Sequence, residues 1–120
     1  MKLLSLNIAL FEANNSKLLS FLQELNADIV CLQEVTRGLE ESVHSEYVSK
    51  NTVDLATPQL KYFFFAPSSV MGDFEQKGFH GKELFHFEFG GLLEFGNYIK
   101  SRYKIIKGQY LCGKQLHIHY

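Results

Sequence analysis

An α/β domain opening with a βαβ unit is the fold class this sequence predicts. Two changes of periodicity carry that expectation. Apolar residues alternate over residues 2–9, recur at helical spacing over 15–25, and then run almost unbroken over 27–35. The third observation is the character of the last run, which suits a parallel strand covered on both faces. A right-handed crossover is expected, the hand of nearly all such units.

Each element has its own signal. The first strand sets Leu4, Leu6 and Ile8 on one face and Leu3, Ser5 and Asn7 on the other. Asn14, Asn15 and Ser16 are N-cap candidates for a helix with a stripe of Leu18, Leu22 and Leu25, widened by Leu19 and Phe21. Asn26 is suited to end it in the left-handed conformation. A thinner pattern of Leu39, Val43 and Tyr47 predicts a second helix from Arg37 to Ser49, and Pro58 closes that region. "KYFFFAP" at 61–67 predicts a strand ended by Pro67, and Gly72, Gly78 and Gly81 predict a loop over 68–82. Phe85, Phe87 and Phe89 alternate with His86 and Glu88 as a strand entering a turn at Gly90 and Gly91. "LLEFGNYIKSRYKII" should hold another strand and "KQLHIHY" a last one. No repeat, low-complexity segment or linker interrupts the 120 residues.

Composition narrows the function classes. The chain is 46% hydrophobic with a formal net charge of -1, and no basic stripe is visible, which argues against a sequence-independent grip on nucleic acid. Eleven Phe and six Tyr, with no Trp, predict an aromatic-rich core. Cys31 and Cys112 stand apart from any zinc or redox spacing, so two inert core thiols in a reducing compartment are expected. The apolar N-terminal stretch is broken by Ser5 and Asn7, lacks a small-residue cleavage site and is too short to span a membrane. A cytoplasmic protein without membrane contact is the expectation.

The chemistry lies at two strand ends. In a parallel βαβ unit, ligands bind beyond the carboxyl ends of the strands, where Asn7 and Glu34 fall. An ionised Glu is seldom buried without a partner. A carboxylate beside an amide is the start of a Mg²⁺ site, since that ion often takes one or two protein carboxylates and fills the rest with water and phosphate oxygens. Spacing alone equally describes a solvated strand-end Glu34 and an Asn7 that begins a turn, and favours that plainer reading.

"KLLSLNI", a helix and then "LNADIVCLQEV" resemble the opening of the endonuclease/exonuclease/phosphatase (DNase I-like) superfamily. "YFFFAPS" looks like the strand that follows there, and "GNYIKSRYKI" is similar to the superfamily's Gly-Asn-x-Ile-x-Ser-Arg-aromatic-x-Ile segment, with Lys104 where members commonly have Pro. The resemblance covers the whole chain in order. It implies the N-terminal half of a four-layer α-β-β-α sandwich, residues 1–120 being a partial domain whose C-terminal half is absent. It also implies that Glu34 is a metal-binding and catalytic residue and that Asn7 organises the same site around Mg²⁺ or Mn²⁺. The partner would be a phosphate ester, either nucleic acid or a small phosphoester. The neutral charge leans towards the latter.

Other residues fit the resemblance less well. "GDF" at 72–74 mimics the catalytic Gly-Asp-x-Asn motif, but it precedes "GNYIKSR" and Glu75 stands where Asn belongs, so Asp73 is expected in a loop. His117 and His119 lie two apart and, with His80 or His86, lack the carboxylates or cysteines of a zinc site; packing or surface roles are expected. Asn97 and Arg102 are expected to support the site through local hydrogen bonds. A true Gly-Asp-x-Asn and a terminal Ser-Asp-His are missing. The function expected is a metal-dependent phosphoester hydrolase of which this chain is an N-terminal portion, inactive alone. The alternative is a non-catalytic binding module, or a half-domain needing a partner chain. Aromatic sheet faces left uncovered in a half-domain should favour self-association.

Overall fold

The crossover unit forms where the periodicity changes. The computed structural model describes residues 1–8, 16–78, 80–105, 107–111 and 115–119, the last two stretches as backbone only. Strand β1 (Leu3–Asn7) and strand β2 (Ile29–Gly38) pair in parallel, from Leu3 opposite Ile29 to Asn7 opposite Gln33. Helix α1 (Ser16–Leu25) joins them. Leu22 is buried, and Leu18, Leu19 and Leu25 pack half-buried against the same core. Phe21, expected on that stripe, turns outward and is 44% exposed. Asn26 closes the helix at φ 47°, its N–H donating to the Leu22 carbonyl at 3.3 Å, as its sequence position predicts. Asn14 and Asn15 lie outside the described residues.

Four further expectations are corrected. No helix covers Arg37 to Ser49: β2 continues to Gly38, a 3₁₀ turn spans Ser45–Tyr47, and helix α2 occupies Ser49–Ala56. The stripe that decides this is Val53 and Ala56, buried in the core with Leu60 just beyond the helix, rather than Leu39, which is 47% exposed. Strand β3 (Tyr62–Met71) does not stop at Pro67. Among the described strands of the sheet it pairs with β6 alone, and proline is tolerated in such an edge strand next to the bulge at Ser68. The loop expected over 68–82 contains the end of β3 and strand β4 (Phe74–Lys77), which pairs antiparallel with β5 (Leu84–Phe87). Phe74 and Phe87 stack across that hairpin at 4.6 Å. The strand expected through Phe89 therefore ends at Phe87. Phe89 is fully buried, and its N–H donates to Asp73 Oδ1 at 2.7 Å. Asp73 is thus a loop residue with a structural task.

Strand β6 (Leu93–Ser101) completes a four-stranded mixed sheet in the order β1-β2-β6-β3, antiparallel to both neighbours. Strands β7 (Lys107–Leu111) and β8 (Gln115–His119) form a separate antiparallel pair, so the strand expected within "KQLHIHY" is present over Gln115–His119. The main core lies between the helices and one face of the sheet, where Val30, Leu32, Val35 and Tyr98 meet Leu22, Val53, Ala56 and Leu60. No helix among the described residues is long and apolar enough to cross a membrane.

A polar cluster ties α2 to the sheet. Tyr98 is fully buried, and its hydroxyl donates to Asp54 Oδ1 at 2.6 Å. Lys50 Nζ donates to Asp54 Oδ2 at 2.8 Å, and the buried Lys100 Nζ lies 3.1 Å from Oδ1 and 3.3 Å from the Thr57 carbonyl. A second buried clasp joins Thr36 to Ser49. The Thr36 N–H donates to Ser49 Oγ at 2.8 Å and the Ser49 N–H to Thr36 Oγ1 at 2.9 Å.

Candidate functional site

Glu34 does not end its strand. It sits inside β2 at a bulge, where Gln33 and Glu34 together face the single residue Asn97 between the pairs Leu32–Tyr98 and Val35–Gly96. Glu34 adopts φ 58°, in the left-handed region that non-glycine residues seldom occupy, and its side chain emerges into solvent. Backbone outliers of this kind gather at functional sites, because surrounding structure must hold them in place. Here the ladder on both sides does so, together with the Ile8 N–H, which donates to the Gln33 carbonyl at 3.1 Å.

A second bulge lies across β6. Pro67 pairs with Gly96 and Ser69 with Phe95, so Ser68 is the extra residue of β3. Its hydroxyl donates to the Phe95 carbonyl at 3.0 Å. The two bulges flank one cavity of about 290 Å³, lined by Asn7, Gln33, Glu34, Ser68, Phe95, Gly96 and Asn97. Both residues expected from the strand-end rule, Asn7 and Glu34, therefore line the same space. Alternation along β1 and β6 sets Asn7 and Asn97 on the face opposite Leu6 and Tyr98, away from the helices. Gln33 shares that side, its Nε2 lying 3.4 Å from Ser5 Oγ.

Asn97 was expected only to support the site, and it lines the cavity directly. Gln33, Ser68 and Phe95 were not singled out at all. The legible signals were Pro67 and Gly96, since proline or glycine inside a strand marks a bulge or a close backbone approach. Arg102 makes a local hydrogen bond, but at the start of β2 rather than beside the cavity, which it does not line. Its Nε donates to Asp28 Oδ1 at 2.9 Å, and Asp28 also accepts the Lys2 N–H at 2.8 Å. The Lys2 amide bond, opposed by partial desolvation and joined by Arg102, holds the Asp28 carboxyl below its ordinary value.

The donor set is hard. Among the described residues Glu34 supplies the one ionisable group of the lining, and amide and hydroxyl oxygens supply the rest. No three His, Cys, Asp or Glu side chains among the described residues are grouped to share a metal ion. One carboxylate with neutral oxygens fits a Mg²⁺ or Mn²⁺ that keeps most of its water, and does not fit zinc. His86 Nδ1 lies 3.0 Å from Glu75 Oε1 on the β4–β5 hairpin, and the side chains of His117 and His119 lie outside the described residues. Cys31 is half-buried, and burial pushes its thiol up, away from the reactive thiolate; Cys112 lies outside the described residues.

Compared with models of protein families, with curated proteins and with solved structures, the chain has no match.

Proposed function

We propose that this chain is the N-terminal portion of a divalent-metal-dependent phosphoester hydrolase, folded as half of a four-layer α-β-β-α sandwich. The observation that supports it is the pair of bulges, which gathers Asn7, Glu34 and Asn97 around one cavity and holds Glu34 in a strained conformation. Glu34 contributes the negative charge that would hold a Mg²⁺ or Mn²⁺. The Asn7 and Asn97 amides can orient its water shell with their oxygens or a phosphate oxygen with their N–H groups. Such an ion, when bound, supplies charge neutralisation at the phosphoryl oxygens. Substrates in reach are phosphate esters small enough for this space, or the end of a nucleic acid strand.

Metal binding by the 120 residues should be weak, with a Kd on the order of millimolar, because the shell has one carboxylate. Calorimetry with Mg²⁺ should show at least a tenfold loss in Glu34→Gln, since loss of a residue that merely supports a ligand already costs about tenfold or more and a direct ligand should cost no less. Equal affinity in the two proteins would remove Glu34 from the site.

The chain alone should not hydrolyse a phosphodiester above background. Phosphoryl transfer needs a positioned nucleophile as well as charge stabilisation, and no second ionisable group among the described residues lines the cavity. That same fact favours the second reading, a non-catalytic binding module or a half-domain completed by a partner chain. Metal-dependent turnover abolished by Glu34→Ala would show that these residues suffice. Exposed Leu3, Tyr62, Phe63 and Phe85, 64%, 44%, 60% and 47% accessible, should drive self-association, which light scattering would detect. A monomer at high concentration would show that those surfaces are compatible with solvent.

A further inference from the structure

We infer that Phe95 is the specificity-determining residue of this cavity, favouring phosphoesters that carry an aromatic ring next to the phosphate. This rests on the phosphoester reading above and names what the remainder of the ligand must offer. Around the cavity Asn7, Gln33, Asn97, Ser68 and Glu34 present polar ends, and Phe95 is the one aromatic residue among the described lining. A ligand group seated away from the polar residues therefore meets a hydrocarbon ring.

The placement of that ring follows from the strand. Phe95 and Asn97 lie on one face of β6, two residues apart, which separates them by about 7 Å along the chain. That span suits a phosphate near Asn97 and Glu34 with its attached ring over Phe95. Phe95 is half-buried and lines the cavity, so it is partly packed and partly accessible there. Its backbone is held on both flanks, by pairing with Thr36 and with Ser69, and its carbonyl is held by the Ser68 hydroxyl. Thr36 is itself locked to Ser49, so the strand beside Phe95 has little freedom to shift. A platform held this firmly loses little conformational entropy when a ligand stacks on it. At about 290 Å³ the cavity lies at the lower limit of small-molecule sites, with room for one phosphate and one ring.

A stacked aromatic face should strengthen binding roughly tenfold over an ester whose neighbouring group is aliphatic. The test is equilibrium dialysis of the 120-residue chain in excess Mg²⁺ against phenyl phosphate and glycerol 3-phosphate. Wild type should bind phenyl phosphate about tenfold more tightly, Phe95→Leu should bind the two alike, and Phe95→Tyr should keep the preference. Glu34→Gln should weaken both esters equally. Both esters binding with equal, Glu34-dependent affinity to wild type would overturn the role of Phe95 and leave the phosphoester reading intact, as would a preference that survives Phe95→Leu. Should Phe95→Leu fail to fold, the wild-type ratio decides alone. Failure of wild type to bind either ester, or binding indifferent to Glu34→Gln, would overturn the phosphoester reading and this inference together.

Discussion

Asp54→Ala should lower the stability of the fold by about 3 kcal/mol, as removal of one partner from a buried ion pair does. Asp54 accepts from Tyr98, Lys50 and Lys100 at once. Its side chain is 36% exposed, so water can replace part of what it loses, but the Lys100 side chain is 7% exposed and Tyr98 is fully buried. Deleting the carboxylate leaves the buried ammonium bonded, among the described residues, to the Thr57 carbonyl alone, and takes its acceptor from the buried Tyr98 hydroxyl. Lys50→Ala is the comparison. Lys50 is the more exposed cation and leaves Asp54 paired, so under about 1 kcal/mol is expected there. Urea titration of the two variants measures the difference, and equal losses would show that Lys100 is satisfied without Asp54.

The same cluster predicts how stability depends on pH. Burial raises the Asp54 carboxyl, but the bonds from Lys50, Tyr98 and Lys100 outweigh it and hold the group below its ordinary 3.8. The stability it contributes is present above that value and is lost as pH falls further, through the depressed folded value. Tyr98 is shifted the other way, upward from 10.0, by burial first and then by its bond to the Asp54 carboxylate. Its contribution is present below pH 10 and fades as alkali ionises the unfolded chain while the buried phenol resists. Tyr98→Phe should remove that alkaline contribution while keeping the ring in the core.

Gly96→Val should be as damaging, at about 3 kcal/mol or more, by overpacking where the backbone cannot yield. A β-carbon at Gly96 would overlap the Ala66 carbonyl oxygen and lie 2.9 Å from both the Ala66 carbonyl carbon and Pro67 Cα. All three are backbone atoms of the strand paired with it, so no side chain can swing away. Gly72→Ala is the control, because its new methyl would meet only Leu92 Cδ2 at 3.5 Å, an ordinary contact, and should change stability by less than about 1 kcal/mol. Gly96 also lines the cavity, so a Gly96→Ala protein that still folds should bind Mg²⁺ less well. Equal melting of the Gly96 and Gly72 variants would show that β3 can move aside.

What was legible in the sequence is what burial dictates. The β1-α1-β2 unit was readable because its two sheet faces and its helix stripe impose different periods on Leu4, Leu6, Leu18, Leu22, Val30 and Leu32. Phe21 satisfied the spacing and still faces solvent, while Leu18, Leu19, Leu22 and Leu25 make the contact with the core. The error over residues 37–49 came from the spacing of Leu39, Val43 and Tyr47, which the buried Val53 and Ala56 of α2 displace as the helix stripe. The error at Pro67 took proline for the end of a strand, whereas proline is tolerated in an edge strand next to a bulge. The side to which Asn7 projects could be read from alternation. The conformation of Glu34 could not, because it depends on how many residues β6 offers opposite, a quantity fixed only by pairing.

That pairing has a geometric consequence. Ten residues of β2 and ten of β3 each run beside the same nine residues of β6, from Ser101 to Leu93. The middle strand is therefore the short path and its neighbours are the long ones, like a drawstring between two wider hems. The surplus on either side is taken up at the same level of β6, around Asn97, Gly96 and Phe95, and the sheet must bow there. The hollow is then a property of chain length rather than of side chains. Substitutions at Asn7, Glu34 or Asn97 would change what it binds and leave its shape in place. Removing one residue from a single flank, at Glu34 or at Ser68, would relax that side alone and skew the sheet.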